Sequence, residues 1–310
     1  MSEVPSHPVS ADLVAVLVAV TAGEPLVLTT REGSMLPSGP FELGHRSLQA
    51  GLRAWVEQQT HHPLGYVEQL YTFADRGRTG QDSEQRTISI SYLALTRQSA
   101  VSRAEAAWHS WYRYFPWEDR RAPSAAIDQP IAAGLRQWAR SAATLAQRRA
   151  RAQRAHICFG LEGRPWNEDL VLQRYELLYE AGLAPEAAGG SGNASAPLPA
   201  GQPMRHDHRR ILATGIARLR AKIKYRPVVF ELMPPSFTLL QLQLAFQALA
   251  GRFLHKQNFR RLIEQQALVE ETGALSSETA GRPAKLFRFR SDVLLERTLT
   301  GSKLPLVRSA

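Results

Sequence analysis

The chain has 310 residues, with 38 Lys and Arg against 28 Asp and Glu, and a formal net charge of +10. Its 44% apolar and 21% charged residues exclude wholesale disorder, and its longest apolar run, residues 13–20, is too short to span a bilayer. One cysteine, Cys158, excludes an internal disulfide framework and a multi-cysteine zinc site. The length predicts two domains. No basic residue precedes the first apolar run, so no secretory signal is predicted and a cytoplasmic location is expected.

In chain order, residues 13–20 and 25–29 read as two strands joined through Gly23 and Glu24 as a hairpin. Residues 47–59 read as a helix capped by Ser47, with Leu48, Leu52, Trp55 and Val56 inward. Strands follow at 66–73 and 87–95, separated by a polar loop holding Asp75, Arg76, Gly77 and Arg78. Residues 108–119 are dense in aromatics; they predict a core or dimer-interface cluster, with purine stacking by Arg113 and its neighbours as the alternative. Residues 132–153 read as one long helix. Its run Arg148-Arg149-Ala150-Arg151 is either a solvated face or a second DNA contact. Residues 156–159 read as a short strand, with Cys158 as buried apolar filler. His61 and His62 are adjacent, with His45 nearby in sequence. Adjacent side chains point apart on most backbones, so no metal site is predicted. A helix over 168–181 ends at Gly182.

Residues 189–199 are built of chain breakers and read as a flexible boundary. The charge divides there. Residues 1–204 hold 19 basic and 20 acidic side chains, and residues 205–310 hold 19 and 8, a net of +11. A basic domain beside a near-neutral one points to a polyanion, most often nucleic acid, although charge alone leaves a solvated surface open.

After the boundary, residues 207–224 read as a helix with Ile211, Leu212, Ile216 and Leu219 on one side. Thr238 or Ser236 caps a helix carrying Leu239, Leu242, Phe246 and Leu249, which Gly251 ends. A second helix over 256–266 turns Phe259, Leu262, Ile263 and Gln266 inward. Its other face carries Gln257, Asn258, Arg260, Arg261 and Glu264. Arg and Asn/Gln are the side chains that pair bidentately with base edges, and two short helices about a tight turn suit a helix-turn-helix. A strand at 268–271, a loop over 272–283 and an alternating apolar–basic strand at 284–290 complete the order of a winged helix. Lys256 also belongs to the expected DNA contact set, and Arg282 and Lys285 are expected to meet phosphates at the wing.

The order hairpin, glycine-bearing loop, helix, strand, loop, strand resembles the Nudix fold. Aligned on that family's box, Gly39, Arg53, Trp55 and Glu57 match. His45, Ala54 and Gln58 stand at glutamate positions, and Thr60 replaces the second glycine. The stretches YVEQLYTFADRGR and ISISYLAL, and the C-terminal stretch KIKYRPVVFELMPPSFTLLQLQLAFQALAGRFLHKQNFRRLIEQQALVEETG with GRPAKLFRF, resemble the Nudix-related transcriptional regulators of NAD metabolism. The likeness is greatest to the NrtR/NadQ-like branch. One departure is His255, where an acidic or polar cap is expected.

The resemblance implies an α+β protein. Residues 1–185 would form a Nudix-like α/β/α sandwich with a mixed sheet, serving effector binding and dimerisation. Residues 186–204 would be a flexible linker, and residues 205–310 a linking helix and winged-helix domain. It implies a homodimeric repressor of NAD-synthesis genes, bound to double-stranded promoter DNA. It also implies an adenine nucleotide effector (ADP-ribose, NAD or ATP), with no required cofactor and no membrane partner. Arg53, Phe73, Arg78, Arg86 and Tyr92 are the expected effector contacts. No catalytic residue is expected, because a single carboxylate holds Mg²⁺ poorly. Arg53 is expected to keep a fold-stabilising ion pair. The competing class is a Nudix pyrophosphohydrolase acting on ADP-ribose or a related diphosphate.

Overall fold

The computed structural model describes residues 9–62, 64–75, 86–98, 106–187, 200–224, 228–276 and 283–291. The linker at 189–199 and the loop residues Arg76, Gly77 and Arg78 lie outside them. β1 (Val9–Thr21) and β2 (Glu24–Thr30) form the expected hairpin. Ala22 and Gly23 both take positive φ, 51° and 76°, which suits a two-residue turn matched to strand twist. β3 (Ser38–Pro40) pairs with β1, and β6 (Ala106–Ser110) with β2. β4 (Tyr66–Phe73) and β5 (Arg86–Leu95) complete a six-stranded mixed sheet in the order β4-β5-β1-β2-β6. Only β1 and β5 run parallel in it.

Alternation along β1 divides the core. Leu13, Ala15 and Leu17 face α1 (Leu48–Thr60) with its Leu52 and Val56. Val14, Val16 and Val18 face the other side. Ser47 caps α1 by accepting from the Ala50 N–H. The opposite face is covered by α5 (His208–Ile223), whose Ile211, Leu212, Ile216 and Leu219 are fully buried. A Cβ on Gly215 would stand 2.8 Å from Val16 Cγ1, so α5 lies close on β1. The expected linking helix is thus part of the sheet's own core.

Residues 125–159 correct the reading of one long helix. α2 (Ala125–Arg140) and α3 (Leu145–Phe159) are separate. Thr144 breaks the run: its hydroxyl accepts from Gln147 N–H, and the Gln147 side chain accepts from Thr144 N–H, a reciprocal cap that starts α3. The strand read at 156–159 is the last turn of α3. Cys158 there is half-buried, and burial pushes its thiol up. α4 (Val171–Glu180) follows, with Gly182 just beyond it at φ 69°. The aromatic segment is core: Trp111, Tyr114, Phe115 and Trp117 are 0% exposed. Among the described residues no helix is long and apolar enough to cross a membrane.

The C-terminal region comprises α6 (Leu239–Ala250), α7 (Lys256–Gln265), β7 (Val269–Ser276) and β8 (Ala284–Phe289). Phe237 exchanges backbone hydrogen bonds with Phe287, adding a third strand position to the small sheet. Helix-turn-helix, hairpin and this extra bridge make a winged helix. The strand read at 268–271 extends to Ser276.

A buried ion cluster joins the two parts. Glu118, Arg174 and Arg220 are each 0% exposed. Arg174 Nε and Nη2 donate to the two Glu118 carboxylate oxygens at 2.5 and 2.9 Å. Arg220 Nη1 donates to Glu118 Oε2 at 2.5 Å, and its Nε to the Leu249 carbonyl in α6 at 2.9 Å. Burial alone would push the Glu118 carboxyl up; the two guanidiniums outweigh it and hold the group below the usual carboxylate range. Gly251, the α6 cap at φ 70°, leaves no room for a Cβ against the Glu118 carbonyl and Arg220.

Glu118→Gln leaves two buried guanidiniums without an anion. The expected loss is about 3–5 kcal/mol of unfolding free energy, measured by urea titration. A second prediction concerns pH. His208, fully buried, accepts at Nδ1 from the Leu36 N–H at 2.9 Å, and burial depresses its pKa to about 3. Between that value and the unfolded value of 6.5 the unfolded chain binds the extra proton, so stability falls as pH drops below 6.5. The unfolding free energy from urea titration should fall between pH 7 and 5, by up to about 1.4 kcal/mol per pH unit from this group. His208→Asn, which keeps an acceptor, should flatten that slope.

Candidate functional site

α7 is held from beneath. Phe259 and Ile263 are buried, and the Phe259 ring meets Phe246 of α6 edge-on at 5.5 Å. The buried Gln243 and Gln247 side chains both donate to the Leu254 carbonyl, at 2.9 and 3.3 Å, fixing the turn between the helices. The other face is open. Lys256, Gln257, Asn258, Arg260 and Arg261 are all exposed. None of the five makes a hydrogen bond or ion pair among the described residues. His255 occupies the cap position and gives no side-chain cap. Leu262 departs from its expected inward place: it is 48% exposed, at the rim of a cavity of about 390 Å³ between α5, α6 and α7. Gln266, also read as inward, is exposed.

At the wing, Lys285 lies on β8 and donates to both carboxylate oxygens of Glu271 across the hairpin at 2.8 and 3.0 Å. Arg288 pairs in the same way with Glu270 at 2.7 Å. Both pairs are exposed and contribute little to stability. Arg282 lies outside the described residues.

Of the residues expected around the nucleotide, Phe73 and Tyr92 lie on opposite faces of the sheet. Phe73 is buried on the α5 face, under the Arg210 guanidinium at 4.8 Å from its ring centroid. Tyr92 is buried on the α1 face, where burial pushes its hydroxyl up. The sheet separates them. Arg53 donates to the Leu64 and Gly65 carbonyls, tying α1 to the start of β4. Among the described residues its partners are these backbone carbonyls. Arg86 opens β5, and Arg78 lies outside the described residues.

The box region shows what its four matches do. A Cβ on Gly39 would collide with the Trp55 ring, so that glycine serves packing. Trp55 Nε1 donates to the Pro40 carbonyl at 2.9 Å. Glu57 is exposed. His45 accepts at Nδ1 from the Glu42 N–H at 3.0 Å. With His45, Ala54 and Gln58 at the other box positions, Glu57 is the one carboxylate among these aligned positions. His62 is buried, its Nε2 2.8 Å from Thr96 Oγ1. Among the described residues no group of three His, Cys, Asp or Glu side chains could hold a metal ion.

Residues 229–289 match the family of NrtR DNA-binding winged helix domains. The match falls on the helix-turn-helix and hairpin described above. The ADPR responsive transcriptional repressor NtrR of Acinetobacter baylyi is 43% identical over 84 residues, 27% of this chain. The matched stretch spans about a third of that relative's length (33%). Among solved structures, Shewanella oneidensis NrtR complexed with a 27mer DNA aligns over 91% of this chain and 94% of its own, at 20% identity and a TM-score of 0.55. A MutT/nudix family protein from Enterococcus faecalis aligns over 93% and 90%, at 15% identity and a TM-score of 0.52. At these identities the likeness is one of fold. The chain has the NrtR fold: a Nudix-like domain with a mixed sheet, then the winged helix.

The sequence reading passed over the charged side chains that organise this fold. Arg209, Leu212, Ala213, Ile216 and Arg220 recur at helical spacing, so both arginines stand on the apolar face of α5. Both are 0% exposed. That placement was the available signal for the cluster around Glu118.

Proposed function

We propose that this chain is a DNA-binding transcriptional repressor of NAD-synthesis genes, controlled by an adenine nucleotide held in the Nudix-like domain. The observation that carries the reading is the outer face of α7 in the NrtR winged helix. It presents two arginines, one lysine and two amide side chains to solvent with no partner in the described chain. Those side chains suit guanine and adenine edges and the phosphates beside them. The Acinetobacter relative is a repressor by name and responds to ADP-ribose, which makes ADP-ribose the first effector to test, ahead of NAD and ATP. Arg86 at the start of β5, and Arg78 before it in sequence, are the cations proposed to meet its pyrophosphate.

The domain acts in this reading by binding and not by hydrolysis. Among the described residues no group of three His, Cys, Asp or Glu side chains could gather divalent metal around Glu57, and the Acinetobacter relative is a repressor by name. A homodimer follows from the way helix-turn-helix proteins read paired half-sites about one helical turn apart.

The test is a mobility shift on promoter DNA of NAD-synthesis genes, with the full chain. Arg260→Ala and Arg261→Ala are each expected to weaken binding by about 1–3 kcal/mol. Unchanged affinity in both variants would overturn the placement of α7 on DNA. Release of AMP from ADP-ribose with Mg²⁺, abolished by Glu57→Gln, would replace the regulator reading with a hydrolase.

A further inference from the structure

The near-neutral charge of residues 1–204 conceals a local excess. Residues 125–159, the span of α2 and α3, hold six arginines and a single acid, Asp128. Asp128 is already committed to Arg120. Between the two helices runs a groove of about 260 Å³ with an aliphatic floor, walled by Arg136, Arg140, Arg148, Arg149 and His156.

These cations are poorly matched within the chain. Arg136 has Glu162 at 4.0 Å, with both side chains more than half exposed, so that pair contributes little. Arg148 donates to the Ala142 carbonyl, which orients it without cancelling its charge. Arg140 and Arg149 are exposed and make no hydrogen bond or ion pair among the described residues. Arg154, on another side of α3, is the contrast: it is neutralised by Glu180 at 2.5 Å. Like charges four residues apart, as Arg136 and Arg140 are, disfavour a helix by a few tenths of a kcal/mol. Packing does not ask for them either, since α3 buries only Ala155 and Phe159. Four guanidiniums and an imidazole around one groove therefore make a local positive field awaiting an outside anion.

The surface continues toward α7. Leu161 lines this groove and also a second cavity, which is bounded by Glu168 and Arg252. Glu168 and Arg252 line in turn the cavity beneath Phe259 and Leu262 of α7. The cationic groove and the cavity beneath the recognition helix thus each share lining residues with the cavity between them. From Arg148 to His156, α3 rises about 12 Å, against one phosphate per about 3.4 Å along each strand of a duplex, so the row faces three or four phosphates.

We infer that the α2–α3 groove is a second, sequence-independent contact for the DNA backbone, lengthening the footprint beyond that of the winged helix. The inference rests on the reading of α7 as the DNA-recognition helix. Its contacts are electrostatic and read no bases.

The test uses the full chain and fluorescent duplexes of about 16 and about 40 base pairs, titrated between about 50 and 200 mM salt. The double variant Arg140→Gln/Arg149→Gln alters two exposed, unpaired side chains, so its melting temperature should match that of the parent. The expected result is a loss of about tenfold or more in affinity for the longer duplex, with the log–log salt slope shallower by about 2. Affinity for the shorter duplex should hold, and Arg140→Lys/Arg149→Lys should restore the slope, because a backbone contact needs only the charge. An unchanged slope and affinity in the Gln variant, with Arg260→Ala still defective, overturns the second contact and leaves the winged-helix reading standing. So does tight binding of inorganic tripolyphosphate to the groove with DNA affinity unaffected. If the parent chain binds neither duplex, the reading of α7 falls and this one with it.

Discussion

One carboxylate holds the molecule together. Glu118 is fully buried, and an isolated ionised carboxylate in such a place would cost far more than any single contact returns. It is tolerated because Arg174 and Arg220 both reach it, and because every nitrogen of both guanidiniums donates a hydrogen bond. Arg174 continues to the Cys158 and Asn167 carbonyls, and Arg220 to those of Glu168 and Leu249. Six segments converge there: the turn after β6, the end of α3, the loop before α4, α4, α5 and the end of α6. A buried pair of this kind is weak evidence for stability in itself, since well-packed apolar groups often do as well. Its value here is geometric: it sets the winged helix at one place on the Nudix-like domain.

The helix that carries Arg220 is the physical link between the two activities in the proposed reading. Near its start, Arg210 lies over Phe73 at the end of β4 and pairs with Asp75, Asp207 and Glu176. Near its end, Arg220 bonds the last turn of α6, the helix on which α7 rests. Between them Gly215 lets α5 lie against β1 without a gap. A packed helix of this kind moves as a unit or not at all. A ligand that changed the β4 end would therefore be felt at the recognition helix through one rigid body, as long as it bound two arrangements of that body unequally.

Much of this was legible in the sequence where local chemistry decides structure. The Gly23 turn, the Ser47 and Thr238 caps, the alternation of β1 and the polar face of α7 all follow from residues next to one another. The failures share a cause: they depend on partners distant in the chain or on a single irregularity. The Thr144–Gln147 cap that divides α2 from α3 was readable as a motif, but the apolar periodicity ran across it. Phe73 and Tyr92 fall on opposite faces because the β4–β5 register shifts between Gln69 and Thr72, and strict alternation carries no sign of a bulge. Arg209 and Arg220 look like solvated charges until Glu186 and Glu118 are placed beside them. Bulk charge misled in the same manner, since a neutral total for the first 204 residues covered the basic α2–α3 pair.

In the proposed reading, nucleotide and DNA compete or cooperate through one rigid connection, α5. It is tested most directly by titration calorimetry of ADP-ribose against the full chain, first free and then saturated with its promoter duplex. The account predicts affinities that differ by about fivefold or more, with the same factor appearing when DNA is titrated against the chain with and without ADP-ribose. Equal ADP-ribose affinities in the free and DNA-bound chain would contradict it.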